Sequence, residues 1–244
     1  MTSPNARQFL IERLHRQLKA VPHIHAVWLE GADAEGRADE YSDLDLWLDV
    51  DSGQQEKVFT VVREVVATFG PMDVEDVYTH PHPQIQQRFY RSVGLPPFLF
   101  VDVCIQTHGR EVVFGPADAF LALFDRDGVL KRGAAPTVQT KAEAEALISR
   151  RWRWILVEKE VRRGHPLEAL ASYHAEVLEP LTELLRLRYA PHKIGYGLKH
   201  IYADLPAEAM HELEGLYALT QPNELPSGME RAGRWMDELA STLT

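Results

Sequence analysis

A single cysteine, Cys104, stands among 244 residues. Its isolation excludes an internal disulfide and a zinc site built on thiolates, and points to a reducing compartment. No apolar run reaches the ~20 residues that a membrane-spanning helix needs. Basic residues are also few: 26 Lys and Arg face 36 Asp and Glu, a formal charge of −10. That balance argues against bulk nucleic acid and anionic membranes as partners. It suits a small cationic substrate, or an anionic one handled through metal ions. A repeat of fixed period is missing. The first residues carry Arg7, Glu12, Arg13, Arg16 and Lys19 among apolar ones, unlike a secretory leader. The expectation is a soluble, cytoplasmic protein, long enough to bury a sizeable core.

What is there divides into two halves. Ser3-Pro4 is a helix-start pair, and Phe9, Leu10, Leu14 and Leu18 follow at helical spacing up to Val21-Pro22. The pattern predicts strands over His25 to Leu29 and Asp43 to Val50, with a small, charged, flexible stretch from Ala32 to Glu40 between them. Gln54 to Phe69 reads as a helix, and Asp73 to Tyr78 as a strand. His80 to Pro97, rich in His-Pro and Pro-Pro, reads as a loop around a short helix. Phe98 to Gln106 is a nearly continuous apolar run, hence a strand covered on both faces. Val112 to Phe114 is one more short strand. After Gly133-Ala134-Ala135-Pro136 the pattern turns helical throughout. The expected fold is α+β: a mixed-sheet domain over residues 1–135 followed by an α-helical bundle over residues 136–244.

The informative stretch is Gly31 to Leu46, GADAEGRADEYSDLDL. Asp43 and Asp45 are separated by one residue on a predicted strand, so both carboxylates project from one face while Leu44, Leu46 and Leu48 take the other. Paired carboxylates repel, and a divalent cation is the usual way to keep both ionised. Gly31 opens a turn whose backbone N–H groups can face a phosphate. Ser42 either caps that turn or touches the ligand. A third acid, Asp102, lies in the apolar run Phe100-Val101-Asp102-Val103-Cys104, where a carboxylate needs an ion, a metal or an open cleft. If its strand neighbours the Asp43/Asp45 strand, the three acids converge.

This stretch resembles the signature of the nucleotidyltransferase (polymerase β-like) superfamily: a glycine turn, about a dozen residues, Asp-x-Asp, and a distant third acid. The run Ala38 to Leu46 is especially similar to the bacterial aminoglycoside and lincosamide nucleotidyltransferases, whose catalytic domain is often followed by a helical bundle. The resemblance implies transfer of a nucleoside monophosphate, AMP from ATP, to a hydroxyl of a small molecule such as an aminoglycoside-like antibiotic. It implies Mg²⁺ or Mn²⁺ on Asp43, Asp45 and Asp102, with Asp102 as base or second-metal ligand. Nucleotide contacts would come from Gly31, Ala32, Ser42 and Lys199, the last in Lys199 to Glu208, a segment similar to one in those bundles. The partners implied are a nucleoside triphosphate and a small acceptor, with the chain a monomer or homodimer. Two departures stand out: Ala32 replaces the family's serine, and Ala34-Glu35-Gly36 replaces its Ala-Arg-Gly, with Arg37 the nearest substitute. They motivate an alternative, a lapsed transferase that only binds nucleotide. Another is a toxin–antitoxin component modifying a macromolecule.

Other polar residues read as ordinary. Asp49 and Asp51 look like the exposed end of their strand. Trp152, Ile155 and Leu156 look like a core face with arginines outside. His80 and His82 read as loop residues, and Cys104 as packed inside. Glu168, Glu176, Glu179 and Glu183 could meet an amine-rich acceptor, although acids on helices are common.

Overall fold

The computed structural model describes residues 3–134, 138 and 140–243, with side chains from Ala6 onward. The chain separates into two compact units, residues 1–135 and 136–244. The Ser3 side chain, and the Ala135-Pro136 step at which the composition changes, lie outside the described residues.

The first unit is α/β in order: α1 (Ser3–Lys19), β1 (Ile24–Leu29), α2 (Gly31–Ala34), β2 (Leu44–Val50), α3 (Gln55–Ala67), β3 (Met72–Tyr78), β4 (Ile85–Ser92), β5 (Val101–Thr107), β6 (Val112–Phe114), β7 (Leu121–Asp125) and β8 (Leu130–Arg132). Six strands form one mixed sheet in the order β3-β4-β5-β2-β1-β7, and β6 pairs with β8. Only β2 and β5 run parallel in the large sheet, with Asp45 beside Asp102 and Asp49 beside Gln106. Antiparallel β1 sets Trp28 opposite Trp47 and Ala26 opposite Asp49.

Alternation divides the sheet's two faces. Leu44, Leu46, Leu48 and Val50 of β2, with Val101, Val103 and Ile105 of β5, pack under Leu10, Leu14 and Leu18 of α1 and Val58, Phe59 and Val62 of α3. Each of these side chains is fully buried, and each contributes roughly 1.5–3 kcal/mol. The other face carries Ala26, Trp28 and Trp47 packed with Val112, Phe114 and Phe120. The β2 acids belong to that second face.

Three expectations change here. His80 to Pro97 is not a loop around a helix: it contains β4, an eight-residue strand between β3 and β5. Its sequence, IQQRFYRS, is polar because much of it stays half-exposed, so hydrophobic alternation was too weak to mark it. The stretch from Ala32 onward begins with one helical turn, α2, rather than a flexible loop. The apolar run before Asp102 is loop until Val101, and Phe98 is 51% exposed.

The second unit is all helix: α4 (Thr140–Ser149), α5 (Ile155–Arg163), α6 (Pro166–Tyr173), α7 (Glu179–Tyr189), α8 (Ile201–Asp204), α9 (Ala207–Tyr217) and α10 (Leu225–Thr242). Val157, Tyr173, Val177, Leu181, Leu184 and Met236 lie in its core. Residues 174–178 widen into a π-turn, and the reason is local. Pro180 has no N–H to give the Glu176 carbonyl, which accepts the Trp154 indole N–H instead, at 2.8 Å. The Trp152 face is reversed from expectation: Trp152 is 71% exposed and Ile155 61%, while Val157 and Trp154 turn inward. The 3₁₀ segment over Arg150–Trp154 breaks the α-helical phase on which that expectation stood.

Candidate functional site

Site construction begins at the end of β1. Leu29 completes the strand, the Glu30 N–H donates to the Asp45 carbonyl at 3.1 Å, and Gly31 turns the chain into α2 with φ +58°. That dihedral favours glycine. Space requires it as well: a Cβ at residue 31 would overlap Asp45 Oδ2 and lie 3.0 Å from Asp45 Cγ. The glycine turn and the second acid of Asp-x-Asp are therefore in direct contact, across fourteen residues of sequence.

Arg7 of α1 ties this corner together. Its Nη1 donates to Asp33 Oδ2 at 2.6 Å and to the Asp43 carbonyl at 3.0 Å, and its Nη2 donates to the Ser42 carbonyl. One guanidinium thus links α2 to the entrance of β2. The sequence offered no signal for this beyond an arginine on the polar face of a helix. Ser42 has a local role: its hydroxyl donates to Asp39 Oδ1 at 2.7 Å, locking the turn before the acids and holding the Asp39 carboxyl below the ordinary carboxylate range.

Asp45 and Asp102 stand side by side on the parallel pair β2–β5, both half-buried, so neither is sealed in the interior. Asp43, also half-buried, lies one step before β2. Gln87 of β4 donates its amide to both Asp102 oxygens, at 2.7 and 2.9 Å. Gln87 also lines a cleft of about 270 Å³ with Val77, Tyr78, His80, His82 and Arg88. Because β4 was read as loop, sequence reasoning missed Gln87.

The field at this corner is negative. Burial raises the Glu30 carboxyl above its ordinary value against the hydrogen bond it accepts from the Trp28 indole, and the nearby Asp45 charge adds to the rise. Burial also pushes the Cys104 thiol well up, with Asp102, Glu30 and Asp45 adding to it. Cys104 is an inert packed thiol, as expected. Asp33 is raised by burial against the pull of Arg7, with Asp43 adding repulsion. Among the described residues, Asp43, Asp45 and Asp102 are not one of the groups whose ligand atoms lie within 4.8 Å of one another. A face of half-buried carboxylates, backed by a glycine that leaves room for one of them, fits a hard divalent cation with oxygen ligands.

The remaining sequence candidates fall elsewhere. Ala32 sits in the first turn of α2. Lys199 belongs to the second unit and is exposed; its carbonyl accepts from Arg186 Nη2 at 2.6 Å. Arg186 is fully buried and pins this loop, also donating to the Gly197 carbonyl at 2.8 Å and to Asp204 at 2.9 Å. Glu183 accepts the Gly195 and Gly197 N–H groups, and Glu176 is buried beside Arg153, so these two of the four acceptor glutamates have structural work. Asp49 corrects an expectation: it is completely buried, not an exposed strand end. Arg37 pairs with Glu35.

No protein-family model and no curated protein matches the chain. Solved structures similar to it include an aminoglycoside 6-adenyltransferase from Bacillus subtilis, at 13% identity over 98% of this chain and 89% of that one, TM-score 0.42. A nucleotidyltransferase-like protein from Exiguobacterium sibiricum is 10% identical over 97% and 75%, TM-score 0.35. A STING-associated CdnE c-di-GMP synthase from Capnocytophaga granulosa is 11% identical over 99% and 80%, TM-score 0.33.

Proposed function

We propose that the chain is a metal-dependent nucleotidyltransferase that moves a nucleoside monophosphate, AMP from ATP, onto a hydroxyl of a small molecule. One observation carries this reading: Asp45 and Asp102 lie in register on adjacent parallel strands, with Gly31 backed against the Asp45 carboxylate. Asp43, Asp45 and Asp102 would hold Mg²⁺ or Mn²⁺, which when bound neutralises charge developing on the triphosphate. The Gly31 and Ala32 N–H groups, at the start of α2, face the outer phosphates. Arg7 fixes α2 against β2, so the donors and the acids keep one geometry. The acceptor oxygen bonds to the α-phosphorus, the bond from that phosphorus to its bridging oxygen breaks, and pyrophosphate leaves. The hydroxyl proton passes to Asp102, which the Gln87 amide orients. Ser42 holds the turn before β2 through its bond to Asp39.

The net charge of −10 favours a cationic, amine-rich acceptor of the aminoglycoside kind. We place the protein in the cytoplasm, as a monomer or homodimer; among the described residues, no helix is long and apolar enough to cross a membrane. Pyrophosphate release from ATP and Mg²⁺ across an aminoglycoside panel, with labelled ATP followed into lysate, tests the reading. Asp45→Asn should lower turnover on the order of 100-fold or more, by analogy with removing one preorganised electrostatic group. Turnover equal to wild type would sink the assignment. Nucleotide binding with no transfer to any acceptor would favour the lapsed form, in which Arg37, tied to Glu35, does not replace the missing arginine.

A further inference from the structure

The same sheet face that carries Asp45 and Asp102 carries a second polar cluster at its opposite end. Asp49 lies four residues further along β2, roughly 13 Å away at about 3.3 Å per residue. It pairs across the sheet with Ala26 on one side and Gln106 on the other. His25 comes from β1, and His108 follows β5, its N–H donating to the Val50 carbonyl at 2.8 Å. Ligand atoms of His25, Asp49 and His108 all lie within 4.8 Å of one another. Trp28 and Trp47, stacked with centroids 5.9 Å apart, stand on the face between the two ends.

We propose that His25, Asp49 and His108 form a binding site for a divalent transition-metal ion, with Zn²⁺ the best match, distinct from the acid site. The donor chemistry sets the class. Two imidazoles with a carboxylate suit zinc and its first-row neighbours, whereas Mg²⁺ and Ca²⁺ take oxygen ligands. The support around the ligands is also that of a metal site. Asp49 is completely buried, and the Gln106 amide holds its second oxygen, while His108 Nδ1 meets Asp49 Oδ1 at 2.5 Å. The Gln106 bond is an outer one, of the kind that orients a ligand, whereas the His108–Asp49 contact joins two of the proposed ligands themselves. The His25 and His108 rings stack at 3.6 Å, 14° from parallel. Both His25 nitrogens meet carboxylates, Nε2 with Asp51 at 2.9 Å and Nδ1 with Asp127 at 2.5 Å, so a metal bound at His25 displaces one of these contacts and its proton. His108 is 41% exposed at its side chain, so the site is reachable from solvent. None of these residues enters the proposed transfer, and the inference does not depend on it.

The test is calorimetric titration of the metal-stripped full chain with Zn²⁺, repeated with Co²⁺ to read its visible ligand-field bands. Wild type should take up Zn²⁺ and gain thermal stability. His108→Ala should weaken the uptake at least about tenfold and lose the Co²⁺ bands. Asp102→Asn, and His165→Ala at the separate Glu160, His165, Glu168 group, should leave this site intact. Equal titrations for wild type and His108→Ala would overturn the proposal. Absence of any Zn²⁺-dependent rise in the wild-type melting temperature would also overturn it, leaving a hydrogen-bonded charge cluster only. Taken in Asp102→Asn combined with His165→Ala, which removes the other candidate groups, that second readout decides the matter even if His108→Ala folds poorly.

Discussion

The acid corner of the sheet and the loop anchor of the helical unit use buried charge in opposite ways. At the anchor, charges of opposite sign meet. Arg186, fully buried, pairs with Asp204 at 2.9 Å, and Lys193 reaches the other Asp204 oxygen at 2.5 Å. Glu160 lies between Lys159, Arg163 and His165 in the same manner. At the acid corner like charges meet: burial raises the Glu30 carboxyl and the Cys104 thiol, Asp45 adds to the first rise, and Asp102, Glu30 and Asp45 add to the second. Gathering carboxylates there adds like-charge repulsion, whereas paired ions hold a loop in place. The difference separates charges that maintain structure from charges arranged for something that arrives later.

The largest expected effect lies at the anchor. Asp204→Ala leaves the Arg186 guanidinium buried without its carboxylate, and removing one partner of such a pair typically costs about 3–5 kcal/mol. Chemical denaturation monitored by circular dichroism checks it. The pair also has a pH signature. Bonds from Lys193 and Arg186 hold the Asp204 carboxyl below its ordinary 3.8, despite burial, which works to raise it. A depressed carboxyl contributes fully above the unfolded value and loses that contribution as pH falls through the folded one. Stability should therefore drop below about pH 4, and the drop should shrink in Asp204→Asn.

Gly31→Ala comes next and touches only the acid corner. It places a side chain in a left-handed backbone and against the Asp45 carboxylate at once. Strain of this kind costs on the order of 1–3 kcal/mol. Nucleotide binding should fall further than stability does, because Asp45 must move. Gly36→Ala is the control: φ is also positive there, +69°, but nothing lies within 4 Å of the added carbon. Equal losses of nucleotide binding in the two variants would mean that backbone strain alone, not the approach to Asp45, explains the result.

Much of this was legible in the sequence. Clean alternation marks β2 and assigns Asp43 and Asp45 to one face, a short apolar stretch stopped by Gly31 marks β1, and a nearly continuous apolar run marks β5. Register could not be read: nothing in residues 43–45 or 100–104 says that Asp45 stands beside Asp102 rather than Asp43. Parallel pairing fixed by the helices beneath decides it. Asp49 was misjudged for a related reason. Its partners, His25, Gln106 and His108, come from β1, β5 and the turn after β5, so its burial is a tertiary fact that no local window contains. Arg7, Gln87 and Arg186 share that property. Each acts through a bond to a residue at least eleven positions away, in segments whose local composition is unremarkably polar.

The smallest effect is the most discriminating, because its sign differs from ordinary destabilisation. Asp102→Asn keeps the shape, and its oxygen can still accept from the Gln87 amide, but it removes one negative charge from the corner. If the repulsion among Glu30, Asp45 and Asp102 outweighs the bonds Asp102 accepts, the metal-free variant should be as stable as wild type or more stable, by about 0.5–2 kcal/mol, the usual range for a stabilising surface-charge change. Adding Mg²⁺ should then stabilise wild type and leave the variant nearly unmoved, since mass action rewards only the form that binds. Paired melts with and without Mg²⁺ read both halves. A variant that loses stability in the metal-free melt would show that the bonds Asp102 accepts outweigh the repulsion, as they do at Asp204, and the contrast between the two regions would fail at its most informative residue.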